Sequence, residues 1–188
     1  DLRGARGRRR PHRRGAHAAA GGVGIVATEH ALYLNAAVHA TAGRLSKHLV
    51  VHGLDVKDCS SSRNEKVFAV GSLGKHRASR AHMILNSLSA DFITISFALL
   101  GEGSHFEEIG KRSVWASDRH FASAPASAYC AVALDADMAR EPEQMHSVLT
   151  LLSQRAAEAT LCPLPTRSFE IETQYELAFR LLQSGLNT

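Results

Sequence analysis

The sequence predicts an α+β protein with a four-stranded mixed sheet in the order strand, helix, strand, helix, strand, strand, packed on helices. A basic arm precedes this core and two helices follow it. Three observations lead there: short apolar runs alternate with helical stripes between residues 24 and 136, seven arginines crowd the first fifteen residues, and two C-terminal segments repeat apolar residues every three to four positions. The implied organisation is an Arg-rich extension over 1–22, an α/β core over 23–138 and a helical extension over 139–188.

A chain of 188 residues can bury a core without staples. Its 45% apolar and 21% charged residues are those of a globular protein, and no apolar run approaches the roughly 18 residues of a membrane helix. The net charge of +4 is uneven: the first fifteen residues carry Arg3, Arg6, Arg8, Arg9, Arg10, Arg13 and Arg14 against Asp1, or +6, which leaves −2 for the rest. Such a block cannot bury enough apolar surface to offset its ordering entropy, and it is suited to a polyanion. A start at Asp1 with Arg and Ala abundant is like the end of an organellar transit segment, so the expected compartment is the mitochondrion, otherwise the cytoplasm. Cys59, Cys130 and Cys162 stand far apart, which argues against a disulfide framework or a zinc knuckle.

In chain order, "GIVAT" is short enough for a strand. "EHALYLNAAVHATAGRLSKHLVVHG" places Leu34, Val38, Ala42, Leu45 and Leu49 on one stripe, with Thr28 as N-cap and Gly53 as stop, and predicts one amphipathic helix. "DVKDCSSSRNE" is rich in turn formers and predicts a loop. "KVFAV" predicts a second strand, turned by Gly71 and Gly74 into a helix, "KHRASRAHMILNSL", with Ala81, Ile84, Leu85 and Leu88 as its apolar face. "DFITISFALL" alternates Ile93, Ile95, Phe97 and Leu99 with Thr94, Ser96 and Ala98, the period of a half-buried strand. Residues 101–127 show no sustained period. "AYCAVALDA" supplies a fourth strand, Pro142 opens the helix "EPEQMHSVLTLLSQRAAEA", and "TQYELAFRLLQSG" is a last helix. These two helices either complete the core or dock on a partner.

The turn at Gly71 invites a phosphate. A P-loop needs four residues between its glycines and a hydroxyl after the lysine, whereas "GSLGKH" has two and a histidine. A Rossmann turn needs three glycines at another spacing and an acid about twenty residues on. What remains is a helix N-terminus with Lys75, His76, Arg77 and Arg80 in its first two turns, an arrangement that suits a nucleic-acid backbone, though the same residues can form an ordinary tight turn and a solvated face.

The element order and the stretch "FAVGSLGKHRASRAHMIL" resemble the Alba superfamily, in particular its sporulation stage V protein S branch. The resemblance implies a small, usually dimeric nucleic-acid-binding fold that contacts phosphates through the loop before the second helix and through its last hairpin. It carries over onto Gly71, Gly74, Lys75, His76, Arg77 and Arg80, and onto Lys111, Arg112, Arg119 and His120 at the hairpin tip. The C-terminal domain of translation initiation factor three shares the element order. A KH domain places its GxxG loop between two helices, which "KVFAV" as a strand does not match.

No catalytic constellation is expected. Ser104 and His105 in "GEGSH" are neighbours that point apart and do not form a nucleophile elbow. His105 with Glu108, and Asp135 with Asp137, lack the further ligands of a metal site, so neither metal nor cofactor is expected. Trp115 and Phe121 among Lys111, Arg112, Arg119 and His120 suit either base stacking or an aromatic plug. The expected function is therefore an RNA-binding structural component, not an enzyme, of a large ribonucleoprotein such as a mitochondrial ribosome. Its partners are then ribosomal RNA and neighbouring proteins. A free-standing dimeric Alba-like protein and a small hydrolase or nucleotide-binding enzyme using the Gly71 turn are the alternatives.

Overall fold

The computed structural model describes residues 13–16, 19–76, 80–88, 91–111, 114–161, 163–164 and 166–184. The elements follow in the order β1 (Arg13–Ala16), α1 (Gly22–Tyr33), β2 (Ala37–Ala42), α2 (Leu45–Gly53), β3 (Asp58–Ser61), α3 (Glu65–His76), β4 (Ala81–Asn86), α4 (Asp91–Leu99), β5 (Leu100–Glu108), α5 (Ser117–Ser123), β6 (Ser127–Ala131), α6 (Leu134–Arg140), α7 (Pro142–Ala157) and α8 (Ile171–Ser184). The six strands form one sheet in the order β3-β2-β1-β4-β5-β6, and every pairing is parallel. This replaces the expected four-stranded mixed sheet, and the Alba-like architecture goes with it.

The order reverses between β1 and β4. Right-handed crossovers in the two directions put α1 and α2 on one face of the sheet and α4 on the other. Two apolar clusters correspond: Ala19, Ala20, Ala40, Ala42, Val51 and Val56 around β2 and α2, and Phe68, Ile84, Ile93, Phe97, Phe106 and Trp115 around α3, α4, β4 and β5.

Each misassigned element has a local cause. "GIVAT" lies inside α1, where Gly24, Ile25, Thr28 and Ala31 are buried at helical spacing. The long helix expected over 29–53 is divided by Asn35, whose φ of 54° ends α1 in the left-handed region that asparagine tolerates, and by β2. The last four residues of β2, His39 to Ala42, are all buried, as they must be in a sheet covered on both faces. That continuous burial erases the alternation by which a strand is recognised. Asp55, with φ 62°, ends α2 in the same way, and the serine-rich "loop" contains β3.

"KVFAV" and its glycines belong to α3, with Phe68 and Ser72 buried four residues apart. Gly71 serves close packing, since a Cβ there would come within 3.2 Å of Ser60 Oγ. "AHMILN" is β4, and "DFITISFAL" is α4, in which Ile93, Ser96 and Phe97 are buried together at i, i+3 and i+4. Residues 101–127 hold most of β5 and all of α5. α7 and α8 form where the helical stripes predict them, with Pro142 in the first turn of α7, yet neither buries a residue. No described helix is long and apolar enough to cross a membrane.

Candidate nucleotide-binding site

In an open parallel sheet, ligands bind outside the carboxyl ends of the strands where the order reverses. Here that point lies between the ends of β1 and β4. The chain leaving β1 enters α1 through Ala19, Ala20 and Gly21. Gly21 is extended (φ −91°, ψ 165°) and has no side chain to cap the first amides of this twelve-residue helix, the groups that an anion would take up. Ala19, Gly21 and Gly24 stand at the spacing of the G-x-G-x-x-G fingerprint, with alanine in the first place. Ala19 and Gly24 are buried, as expected of residues that let the turn and helix approach the sheet closely.

A cavity of about 220 Å³ opens beside this turn, lined by Ala20, Gly21, Ala42, Gly43, Lys47, Ser62, Arg63 and Ser184. Its basic wall is built locally. The Ser61 hydroxyl accepts the amides of Arg63 and Asn64 (both 3.1 Å), and Asn64 Oδ1 accepts the amide of Val67 (3.0 Å) as the N-cap of α3, which fixes the turn that carries Arg63. His48 Nε2 lies 3.1 Å from the Ala42 carbonyl and ties α2 to the end of β2, placing Lys47 at the rim. A Cβ on Gly43 would come within 2.9 Å of Arg63 Nε and 3.2 Å of Ser62 Oγ, so this position must stay bare for Arg63 to lie where it does. The acid that would hold a ribose diol about twenty residues after the glycines is missing: residues 41–47 read TAGRLSK, with Arg44 in that place.

On the other side of the switch point, Asn86 ends β4 and Glu108 ends β5, both buried. Glu108 accepts from Asn86 Nδ2 (2.6 Å) and from the Gly110 amide (2.7 Å). Burial pushes its carboxyl above the usual range against the pull of those two donors. Lys111 and Asp135 form an exposed ion pair at 3.7 Å beyond the ends of β5 and β6.

The residues singled out from the sequence do not converge. Arg3, Arg6, Arg8, Arg9, Arg10, Arg77 and Arg112 lie outside the described residues, as does Cys162. Arg13 and Arg14 belong to β1, the central strand next to the switch point. Gly71, Gly74, Lys75 and His76 lie in the later part of α3, and Arg80 precedes β4 with its guanidinium on the Ala98 carbonyl. These positions are at the amino edge of the sheet, whereas Lys111 is at the carboxyl edge. In α5, Arg119 stacks 4.1 Å over Trp115, and His120 is buried against Phe97 and Tyr129 at centroid distances of 5.1 and 5.0 Å. Trp115 packs on Phe97 at 5.0 Å in the core, while Phe121 is exposed. Sequence reasoning points to the wrong glycines: "AAGGVG" carries the fingerprint spacing, with an alanine in the first place that hides it.

A doubly wound parallel sheet of strand order 3-2-1-4-5-6, with a glycine turn at its switch point, is the Rossmann type. The relatives narrow this further. The chain is 31% identical over 174 residues to a component of the phenolphthiocerol/phthiocerol polyketide synthase of Mycobacterium tuberculosis, covering 92% of this chain and 8% of that protein. Its fold matches the crystal structure of CurK enoyl reductase with a TM-score of 0.84 at 29% identity, over 95% of this chain and 53% of the other. It also matches the nucleotide-binding subdomain of the enoylreductase domain of PpsC from Mycobacterium tuberculosis with a TM-score of 0.71 at 27% identity, over 82% of this chain and 87% of that one. No family model matches the chain. The chain thus spans a small fraction of the curated relative and about half of the complete reductase.

These likenesses overturn the RNA-binding reading, both as a mitochondrial-ribosome component with RNA and ribosomal partners and as a free-standing Alba-like protein. They also overturn the expectation that the chain is not enzymatic, since the proteins it is similar to are synthases and reductases. The small-hydrolase alternative and a nucleotide site at Gly71 fall too, because the glycine turn at the switch point is elsewhere.

Proposed function

We propose that this chain is the dinucleotide-binding half of an enoyl reductase that works within a cytoplasmic polyketide synthase, with NADPH as its reductant and the other synthase domains as its partners. The observation that carries this reading is the combination at one sheet edge of the Ala19, Gly21, Gly24 turn with a cavity walled by Lys47, Ser62 and Arg63. The pyrophosphate sits on the first amides of α1, and close approach depends on the bare backbone of Gly21. The adenosine ribose falls near Gly43, where basic residues replace the acid that would select a free 2′-hydroxyl. A 2′-phosphate brings two negative charges to that wall, and Lys47 and Arg63 are placed to receive them. When bound, the reduced nicotinamide supplies the hydride for an enoyl group. The residues described here hold and orient it.

Isothermal titration of the chain with NADPH and NADH tests the reading. NADPH should bind at least about tenfold more tightly, and Lys47→Ala with Arg63→Ala should close most of that gap while leaving NADH affinity within about twofold. Equal affinity for both nucleotides, or binding of neither, would sink it.

A further inference from the structure

Two loops leave the carboxyl ends of β4 and β5, on the side of the switch point away from Lys47 and Arg63. In a sheet of this order each three-strand half takes one nucleotide of the pair. On the reading proposed above, these loops therefore face the nicotinamide half.

Both loops are tied to one buried pair. Asn86 Oδ1 accepts from the Leu88 amide (3.2 Å), and its Nδ2 donates to the Leu88 carbonyl (2.7 Å) and to Glu108 Oε2 (2.6 Å). Glu108 Oε1 accepts from the Gly110 amide at 2.7 Å. The Ile109 amide donates to the Asn86 carbonyl at 2.9 Å, so backbone and side chains lock the same two strand ends. Asn86 has one usable orientation: its oxygen must face the Leu88 amide, so its amide hydrogens must face the carboxylate. A Cβ on Gly110 would stand 2.6 Å from Glu108 Oε1, so this bond requires glycine.

Burying a carboxylate and an amide is costly unless every bond is made. Cohesion between β4 and β5 does not call for the pair, because Ile84 and Phe106, both essentially unexposed, already pack across them. What the pair adds is a fixed backbone at Leu88 and at Gly110, each two residues beyond its strand end. We propose that Asn86 and Glu108 are positioning residues, a buried clamp that holds Leu88 beyond β4 and Gly110 beyond β5 where they receive the nicotinamide half of the dinucleotide. This rests on the nucleotide-binding reading.

Glu108→Gln tests it, because the amide presents one hydrogen-bearing end to a partner that is itself a donor. Two ligands are titrated: NADPH, and adenosine 2′,5′-bisphosphate, which carries the 2′-phosphate half without nicotinamide. The clamp predicts that NADPH affinity falls by about tenfold, the worth of one charge-assisted hydrogen bond, while bisphosphate affinity stays within about twofold. Hydrogen exchange of the Leu88 and Gly110 amides should accelerate by a similar factor, with α1 unchanged. If Glu108→Gln does not accumulate folded, Asn86→Ser, which leaves the bond to Gly110 in place, carries the same ligand expectation, with faster exchange at Leu88 alone. Equal losses for both ligands, no loss for NADPH, or unchanged exchange at Leu88 and Gly110 would overturn the clamp alone. Failure of the unaltered chain to bind either ligand overturns the nucleotide-binding reading and the nicotinamide role together.

Discussion

His120 shows how a single polar residue is made part of a core. Its ring is buried between Phe97 and Tyr129, and Nε2 lies 3.1 Å from Ser127 Oγ. Burial depresses its pKa below the ordinary 6.5, so the fold prefers the neutral ring. The stability this lends is complete above pH 6.5 and is lost as pH falls through the depressed value. Urea unfolding at pH 7.5, 6.5 and 5.5 should therefore show a steeper loss on acidification for the native chain than for His120→Gln. Parallel slopes would mean that the ring titrates as it does in the unfolded chain. Gly43 is decided at the same scale by Arg63 Nε standing 2.9 Å from where its Cβ would be. Neither the sequence around His120 nor that around Gly43 shows these neighbours, because Tyr129 and Arg63 arrive from other elements.

Among the elements, α1, α2 and β2 are defined by where the chain stops being helical. Asn35 and Asp55 both adopt positive φ, and each directs the chain from a helix into the next strand. Asn35→Gly should be neutral within about 0.5 kcal/mol, whereas Asn35→Val should cost about 1–2 kcal/mol, since a β-branched residue is strained in that region. Thermal denaturation monitored by circular dichroism separates these outcomes. α7 and α8 are the elements whose spacing alone sufficed, because an amphipathic stripe, opened in α7 by Pro142, needs no partner to be recognised. α4 is the opposite case. Its alternating Ile93, Ile95, Phe97 and Leu99 satisfy a strand period, but Ile93, Ser96 and Phe97 share a helical face, and a crossover between the parallel strands β4 and β5 requires a helix there.

For the whole molecule, the reading of the switch-point edge as a nucleotide site makes stability depend on ligand. NADPH at a hundred times its dissociation constant should add about 2.7 kcal/mol and raise the melting temperature by roughly 5–10 °C, while NADH at the same concentration, about tenfold weaker, should add no more than about half of that. A scan with no shift for either nucleotide would contradict that reading. The two C-terminal helices and the apolar content of a globular core are legible in the chain alone, because both are local; the Ala19, Gly21, Gly24 spacing is local too, but the alanine in its first place hides it, and Gly71 and Gly74 stand out instead. The sequence also led to an RNA-binding protein, because the charge of the first fifteen residues is the loudest compositional signal and says nothing about fold. Tertiary structure alone makes the strands parallel, reverses their order between β1 and β4, and brings Gly21, Lys47 and Arg63 together on one side of the switch point and Asn86 to Glu108 on the other. Strands buried on both faces lose the alternation that reveals them, and parallel pairing is a contact between segments separated by a whole helix, which no local pattern encodes.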